Sequence, residues 1–281
     1  MSRTAWLNAL LAAVVAVLGA WAYFKPARDA PVQHPLSALK SSEIASIHIE
    51  RPGAAPISLE KKAGVWLVTA PFAARGDESR VRQLLEILEA KSAHRLAATD
   101  LARFELDRPQ ARLTIGRQAF SFGMVNPTTR EQYLLTNGDV YAAPPRYGMA
   151  LPANAGEMVS RQLFGPGETP VRFELKAFTV EQRDGKWTQV PEAKDSSQDD
   201  FLRWVEYWRI TPAARVEPYV KGKSPEVIRI QLKEGGTLAL GVLAREPELI
   251  LLRPDEKLQY HFRTEIAQRL LAPPGATSKE K

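Results

Sequence analysis

The hydrophobic positions of this chain change their spacing from one region to the next. The first apolar run, 5–24, contains no charged residue, and Asn8 is its one strongly polar side chain. Twenty helical residues rise about 30 Å, which matches the hydrocarbon core of a bilayer. Trp6 and Trp21 lie near its two ends, where aromatic rings favour the lipid–water interface. The pattern predicts one transmembrane helix and assigns residues 1–24 to an N-terminal anchor.

The same run has a second interpretation as a cleaved secretory signal, because Ala20-Trp21-Ala22 offers small residues at a suitable spacing. The run is longer than the 7–15 apolar residues of most signals, which favours a retained anchor. Arg3 on one side is balanced by Lys25 and Arg28 on the other, so charge alone does not orient the helix. Since large C-terminal domains are translocated largely regardless of charge, we expect the rest of the chain outside the cytoplasm.

Residues 25–42 are rich in proline and polar side chains, which predicts a short tether. Beyond the tether the chain resembles itself. The stretch 62–66 returns as 183–187, displaced by 121 positions, and 84–88 returns as 204–208, displaced by 120. A constant displacement of this size indicates two tandem copies of one unit. We therefore predict a first unit over 43–165, a second unit over 166–272, and a disordered tail over 273–281.

Each unit is expected to begin with short strands joined by tight hairpins. Ala63-Gly64 and Asp184-Gly185 are turn signals at matching places, and Asn137-Gly138 is the strongest hairpin signal in the chain. Gly235-Gly236 predicts a further turn. The alternating or apolar segments predict strands at 45–50, 56–60, 65–68, 112–115, 119–124, 132–136, 139–142, 227–232, 237–242, 249–252 and 258–262.

One amphipathic helix per unit follows the first strands. Asp77 can cap the first helix, and Ser196 or Ser197 can cap the second, with Asp199 or Asp200 as the acid of a capping box. Both helices carry apolar residues at i, i+3, i+4 and i+7, a stripe that packs on a sheet. These stripes are Val81, Leu84, Leu85 and Leu88, and then Phe201, Trp204, Val205 and Trp208.

Short closing helices are predicted over 154–163 and 264–271. The expected fold class is α+β: an N-terminal transmembrane helix followed by two similar units. Each unit has a mostly antiparallel sheet with a packed amphipathic helix. Trp66 and Trp187 hold equivalent strand positions, which favours a core role for both over an exposed binding platform.

Composition narrows the chemistry. The chain has no cysteine and four histidines, which excludes disulfide scaffolds, thiolate metal sites and cysteine nucleophiles. Lysine and arginine number 38 against 32 acidic residues, giving a net charge of +6. This charge favours weak, salt-sensitive attraction to anionic surfaces. Nucleic-acid-binding motifs are absent from the sequence, so nucleic acid is not an expected partner.

The sequence also lacks the local patterns of common active sites: GxSxG, HExxH, the P-loop and GxGxxG. His48, His94 and His261 are scattered and are interpreted as ordinary surface or strand-face residues. We therefore assign no catalytic, cofactor-binding or metal-binding residue, no cofactor, and no enzymatic activity. A site assembled from distant segments stays open at this stage.

Several short segments, taken in order, carry a family resemblance. They are Gly64-Val65-Trp66, Pro71, the helix over 81–88, Phe104-Glu105-Leu106-Asp107-Arg108-Pro109, Ile115-Gly116, and the stretch 133–141. Together they resemble domain-of-unknown-function family 4340 over about residues 45–270. Members commonly have glycine where this chain has Glu105.

The resemblance implies a membrane-anchored envelope protein without known catalysis, often found beside ABC-type export components related to gliding-motility auxiliary proteins. It implies no active residues. The expected function is a noncatalytic accessory or scaffold component of an envelope complex, such as an ABC-type export system. Membrane lipid is its expected contact through the N-terminal helix, and a transporter or envelope protein is the expected partner.

The expected location is the bacterial inner membrane, with a single pass and a large C-terminal domain in the periplasm. The alternative is a periplasmic module that binds peptide, glycan or lipid in the cleft between the two units.

Overall fold

The computed structural model describes residues 3–24, 32–192, 196–221 and 226–276. Helix α1 (Arg3–Phe24) has an apolar surface on all sides, and the large apolar side chains described along it, from Trp6 to Trp21, are exposed. When length and hydropathy are judged together, none of the helices in the described ranges is long and apolar enough to cross a membrane. The predicted helix is therefore present, while its predicted span is not confirmed.

The first large sheet has nine strands, and every neighbouring pair in it is antiparallel. Two further strands, β1 (His34–Pro35) and β6 (Lys91–Ser92), form a separate antiparallel pair. The nine strands are β2 (Ser46–Glu50), β3 (Ile57–Lys62), β4 (Val65–Ala70), β5 (Ala74–Arg75), β7 (Arg95–Ala97), β8 (Ala111–Ile115), β9 (Gln118–Val125), β10 (Gln132–Thr136) and β11 (Asp139–Ala143), in the spatial order β5-β4-β3-β2-β8-β9-β10-β11-β7.

The second large sheet has eight strands, again with antiparallel neighbours. They are β12 (Pro170–Glu174), β13 (Thr179–Arg183), β14 (Lys186–Val190), β15 (Arg215–Pro218), β16 (Glu226–Leu232), β17 (Thr237–Ala244), β18 (Leu249–Arg253) and β19 (Leu258–Phe262), in the order β14-β13-β12-β16-β17-β18-β19-β15. The remaining helices are α2 (Glu78–Leu85), α3 (Arg146–Met149), α4 (Gln198–Ile210) and α5 (Thr264–Leu271).

The two sheets have the same connectivity once β5 is set aside. In each, three strands lead outward and one helix crosses to a short strand at the far edge. The chain then returns to the middle of the sheet, and four strands lead outward until the last one pairs with that short edge strand. The α+β class with mostly antiparallel sheets is as predicted. The origin of the two sheets by duplication stays a prediction.

The predicted helix caps are confirmed. The Asp77 side chain accepts hydrogen bonds from the N–H groups of Ser79 and Arg80 at the start of α2. Ser197 and Asp200 form a full capping box at the start of α4, so Ser197 and Asp200 are the cap and its acid. Both predicted stripes are buried, although α2 ends at Leu85 and Leu88 lies in the 3₁₀ turn that follows.

Three predicted hairpin turns are also confirmed. Ala63-Gly64, Asn137-Gly138 and Asp184-Gly185 each have two consecutive positive φ angles and join directly paired strands. Such turns match the right-handed twist of the strands they connect.

The helix predicted over 154–163 is wrong. Only Ala155–Met158 forms a 3₁₀ turn, and the chain then continues in extended form, with Val159 bridging to Gly76. The Ser160 N–H donates to the Arg75 carbonyl, and the Ala213 N–H donates to the Arg161 carbonyl. Because these groups are bonded to other parts of the chain, the segment does not form a helix.

The ends of the folded part also differ from expectation. Leu36, which we placed in the tether, is fully buried, and β1 pairs with β6 next to it. Pro274, which we placed in the tail, accepts a 2.7 Å hydrogen bond from the Ser196 hydroxyl. The first tether residues, 25–31, and the last tail residues, 277–281, lie outside the described residues.

Candidate functional site

The two sheets are joined through the extended segment that follows the 3₁₀ turn. Ser160 N–H donates to the Arg75 carbonyl of β5 at 2.8 Å, and the Arg161 carbonyl accepts from Ala213 N–H at 2.9 Å. The segment thus hydrogen-bonds to the edge of the first sheet on one side and to the chain just before β15 on the other. We call this region the junction.

Arg75 is the first of two arginines that fasten the junction. Its Nε donates to Glu256 at 2.5 Å, and its other nitrogens donate to the carbonyls of Gln162 and Phe164 at 2.7 and 3.0 Å. Its guanidinium also donates to the Tyr260 hydroxyl at 3.0 Å, and that hydroxyl donates to Glu256. Arg75 belongs to the first sheet and Glu256 follows β18 of the second, so the pair connects the two sheets.

Arg253 is the second arginine, and its side chain is 4% exposed. It donates to both oxygens of Glu168 at 2.5 and 2.8 Å, to the Leu163 carbonyl at 2.5 Å, and to Asp255. Burial alone would lower the pKa of Arg253, but the hydrogen bonds to Glu168 and Asp255 outweigh it and raise that pKa. For the Glu168 carboxylate the signs are reversed. Burial alone would raise its pKa, but the hydrogen bond from Arg253 outweighs burial and lowers it.

Arg253 and Glu168 are therefore each held in one protonation state. Burial raises the pKa of Tyr260, which keeps its hydroxyl neutral. An acid or base in catalysis needs a pKa near the working pH and access to a reacting group. The pKa values of Arg75, Arg253, Glu168 and Tyr260 are moved away from that range, and the bonds of these side chains end on fixed atoms of the protein. The junction acts as a structural fastening.

A groove of about 510 Å³ opens beside the junction. Phe72 is the one aromatic side chain among the described residues that line it, and Arg161 is exposed there. No hydrogen bond or ion pair reaches the Arg161 guanidinium from the described part of the chain. The full lining is Ala54, Ala55, Pro71, Phe72, Ala153, Asn154, Ala155, Gly156, Glu157, Arg161, Arg215, Val216, Glu217 and Pro218.

His261 lies close to this groove, and our interpretation of it as an ordinary surface or strand-face residue is wrong on burial. Its side chain is 3% exposed, and Glu248 and Glu217 lie at its two ring nitrogens. Nδ1 lies 3.1 Å from Glu248, while Nε2 lies 3.6 Å from Glu217 and has no hydrogen-bond partner among the described residues. The His261 contact, followed by the one from Arg215, lowers the pKa of Glu248.

The two ring nitrogens of His261 face different carboxylates, Glu248 and Glu217. The three side chains therefore do not point towards a common ligand position. Within the described ranges, no group of three His, Asp or Glu side chains is placed to hold a metal ion. His48 faces away from Ile47 and Ile49, as the alternation predicted, and contacts Ser58 and Glu50. His94 is exposed in the loop before β7. The described histidines are therefore separate.

The tryptophans have the predicted core role. Trp66 and Trp187 are 5% and 4% exposed, and Trp204 and Trp208 are 6% and 1% exposed. Trp204 and Trp208 pack with Phe173, at ring-centroid distances of 4.9 and 5.6 Å. These aromatic rings are taken up by the core and are not a ligand platform.

The Phe104-Glu105-Leu106 segment covers the outer face of the first sheet. Phe104 and Leu106 form a small second core with Val140, and Glu105 has a left-handed backbone with φ of +55°. A left-handed position favours glycine, the residue that commonly stands there in the resembling family. A Cβ on Gly123 would lie 2.2 Å from the Phe104 carbonyl oxygen, so the segment also fixes a glycine in β9. The motif has a structural role.

The chain belongs to a family defined by a domain of unknown function, DUF4340, whose model matches residues 66–228, more than half of its length. This confirms the resemblance seen in the sequence. A comparison with curated proteins and with solved structures finds no significant match.

The sequence reasoning missed the residues that build the junction. A charged residue at the end of the apolar run Leu249–Leu252 was the one signal for Arg253. Arg161 was assigned to a helix that does not form. Neither Arg75 nor Glu256 had a local signal, since their partners are distant in the chain.

Proposed function

We propose that this protein is a noncatalytic accessory or scaffold component of a bacterial envelope complex, such as an ABC-type export system. The observation that carries the proposal is the fastened junction. Arg75 joins the two sheets through its ion pair with Glu256, Arg253 fastens the connecting segment at the Leu163 carbonyl, and most buried apolar residues of both sheets form one continuous core. A body of this kind presents its surfaces in a fixed relation, as a scaffold requires.

Attachment to the inner membrane through α1, with the folded body in the periplasm, is part of the proposal. The support is the exposed apolar surface that surrounds α1. A helix that is apolar on all sides is stable only in apolar surroundings, and lipid provides them. Carbonate extraction of cell membranes tests this attachment: the full chain should stay with the membrane, and its release into the soluble fraction would overturn the attachment.

In-cell crosslinking tests the scaffold role. The full chain should be recovered repeatedly with the same envelope protein, and Arg75→Met should reduce that recovery at least fivefold because it loosens the junction. Arg117→Met is the matched control, since Arg117 is an exposed residue of the β8–β9 turn. Consistent recovery as a lone monomer, or equal recovery with Arg75→Met, would contradict the proposal.

The second candidate is a periplasmic module that binds peptide, glycan or lipid in the groove beside the junction. The groove volume of about 510 Å³ lies within the usual range of ligand sites and favours it. The single aromatic side chain of the lining, Phe72, gives less support to a glycan, which commonly stacks on aromatic rings.

A further inference from the structure

We propose that the groove beside the junction binds an extended peptide segment of a partner protein, with a carboxylate of that segment held by Arg161. The proposal deepens the accessory role and rests on it, because it says how the scaffold would grip its partner. Three features of the groove carry it: a free strand edge, an unpaired arginine, and an apolar part of the lining.

The strand edge belongs to β15. This strand is the last in the second sheet, and β19 is its only strand partner among the described strands. Four consecutive residues, Arg215 to Pro218, line the groove. Successive side chains alternate between the two faces of a strand, so four in a row line a groove only where the main-chain edge itself faces it. An exposed edge accepts an extended peptide through main-chain hydrogen bonds.

The charges of the groove select the peptide. Arg215 is neutralised by Glu217 and Glu248, at 3.0 Å from each, and Glu157 lies 3.6 Å from Arg80. Arg161 is the lining arginine whose charge is not neutralised in this way, since its guanidinium has no partner within the described part of the chain. An arginine fork matches a carboxylate in shape and charge. The peptide therefore carries an acidic side chain or a C-terminal carboxylate.

The third feature is the apolar part of the lining, formed by Pro71 and Phe72 together with the small residue Gly156. A Cβ on Gly156 would lie 3.6 Å from the Val216 carbonyl oxygen, which is ordinary contact, and 3.1 Å from the flexible Asn154 side chain. A Cβ at 156 therefore meets the flexible Asn154 side chain most closely, and a larger side chain added at this lining position takes up space in the groove. This makes Gly156→Leu a blocking variant.

The test uses the full chain in an uncharged maltoside detergent and two dansyl-labelled peptides, Val-Glu-Val-Glu-Val and its glutamine counterpart Val-Gln-Val-Gln-Val. Fluorescence anisotropy measures both dissociation constants. We expect the acidic peptide to bind about 1.4 to 5 times more tightly, since an exposed ion pair contributes about 0.2–1 kcal/mol. Arg161→Gln should bring the ratio close to one. Gly156→Leu should weaken both peptides at least tenfold.

The control is Arg117→Gln, which removes an exposed arginine at the β8–β9 turn and should behave as the unchanged chain. Thermal unfolding confirms that each variant is folded. An unchanged ratio with Arg161→Gln, unchanged binding with Gly156→Leu, or no saturable peptide binding would overturn the inference. Displacement by glycerol phosphate at lower concentration than by the acidic peptide would assign the groove to a lipid headgroup and also overturn it.

The crosslinking experiment keeps this inference separate from the accessory role. Partner recovery in cells without peptide binding would remove the groove inference alone. Peptide binding that depends on Arg161, in a chain recovered only as a monomer, would remove the scaffold role and leave the groove as the site of a binding module.

Discussion

Trp66 in β4 and Trp187 in β14 hold the same place in the two sheets, yet the outer edge of each strand is closed differently. In the first sheet, Gly76 N–H donates to the Trp66 carbonyl at 2.7 Å, just after β5 pairs with β4. In the second sheet, one side chain bonds to the main-chain groups of Trp187. Gln198 donates to the Trp187 carbonyl at 2.7 Å and accepts from the Trp187 N–H at 3.0 Å.

The difference shows that two sheets with the same strand connectivity can use the corresponding edge in two ways. The first sheet is connected to its neighbour there, and the second sheet ends there. β5 carries main-chain groups on both sides, so the first sheet continues through Val159 towards the second. The Gln198 amide has one donor and one acceptor face and ends the second sheet at that point. Open strand edges invite pairing with other chains, and a side chain that satisfies them is a form of protection.

The largest expected effect comes from breaking the junction of the first sheet. Arg75→Met removes the nearest ion-pair partner of Glu256, whose side chain is 14% exposed, and leaves Arg253 at 3.7 Å. Breaking a buried pair by removing one partner costs about 3–5 kcal/mol, so we expect a loss at the lower end of this range. Urea unfolding of the full chain in detergent measures the free energy of unfolding. The Arg75→Met/Glu256→Gln double variant should recover part of the loss, because it removes the stranded charge.

Arg117→Met is the control and should change the free energy of unfolding by less than about 0.5 kcal/mol, as surface substitutions usually do. If Arg75→Met cost no more than this control, the buried pair would not fasten the sheets. The contrast between a junction edge and an end edge would then lose its energetic basis.

The next largest effect comes from opening the edge of the second sheet. Gln198→Leu removes both bonds to Trp187 and should cost about 1–3 kcal/mol, since a main-chain donor and an acceptor lose their partners. The open edge should also promote association of the protein at high concentration, which analytical ultracentrifugation measures. Gln198→Glu keeps the acceptor and loses the donor, so its effect should be intermediate.

The matched control is Gln231→Leu, at an exposed position of β16 inside the same sheet. A Gln198→Leu chain that stays as stable and as monomeric as this control would show that the amide does not close the edge.

The two edges also show what sequence reasoning could reach. The turn at Asp184-Gly185 and the capping box of Ser197 and Asp200 were predicted because their partners lie two or three residues apart. The bond of Arg75 to Glu256 joins positions 181 residues apart, and no local pattern reports such a pair. Gln198 begins a predicted helix, where a polar residue is ordinary, so its bond to β14 had no signal.

The candidate groove follows the same rule. A cleft between the units was foreseen as an alternative, but Arg161 fell in a helix prediction that the extended segment overrides. His261 lies between Tyr260 and Phe262 in the sequence, and we interpreted it as an ordinary surface or strand-face residue. Its side chain is buried, with Glu248 at Nδ1, which alternation within one strand does not reveal.

A smaller effect is expected at the start of α4, next to Gln198. The Ser197 hydrogen bonds lower the pKa of Asp200 to about 2, from an ordinary value of 3.8. A lowered pKa in the folded chain adds stability above pH 4, and this contribution disappears as the pH falls from about 4 to 2. Ser197→Ala should cost about 1 kcal/mol at pH 7, in line with other N-cap losses.

The pH dependence separates the cap from general acid unfolding. Asp200→Asn should flatten the loss of stability between pH 4 and 2 relative to the unchanged chain, as followed by urea unfolding at each pH. Asp199→Asn is the neighbouring control, since Ser197 bonds to Asp200 and not to Asp199. Equal slopes for the two variants would contradict the assignment.

The smallest effect is expected on the outer face of the first sheet. Phe104 and Leu106 cover that face, and the turn between them holds Glu105 at a φ of +55°. A left-handed conformation costs a residue with a Cβ about 1 kcal/mol, and glycine avoids this cost but loses more entropy on folding. Glu105→Gly should therefore raise the free energy of unfolding by up to about 1 kcal/mol. Glu131→Gly, at a half-buried loop position with no positive φ, should not raise it. An equal gain in both would mean that the backbone at 105 is not the cause.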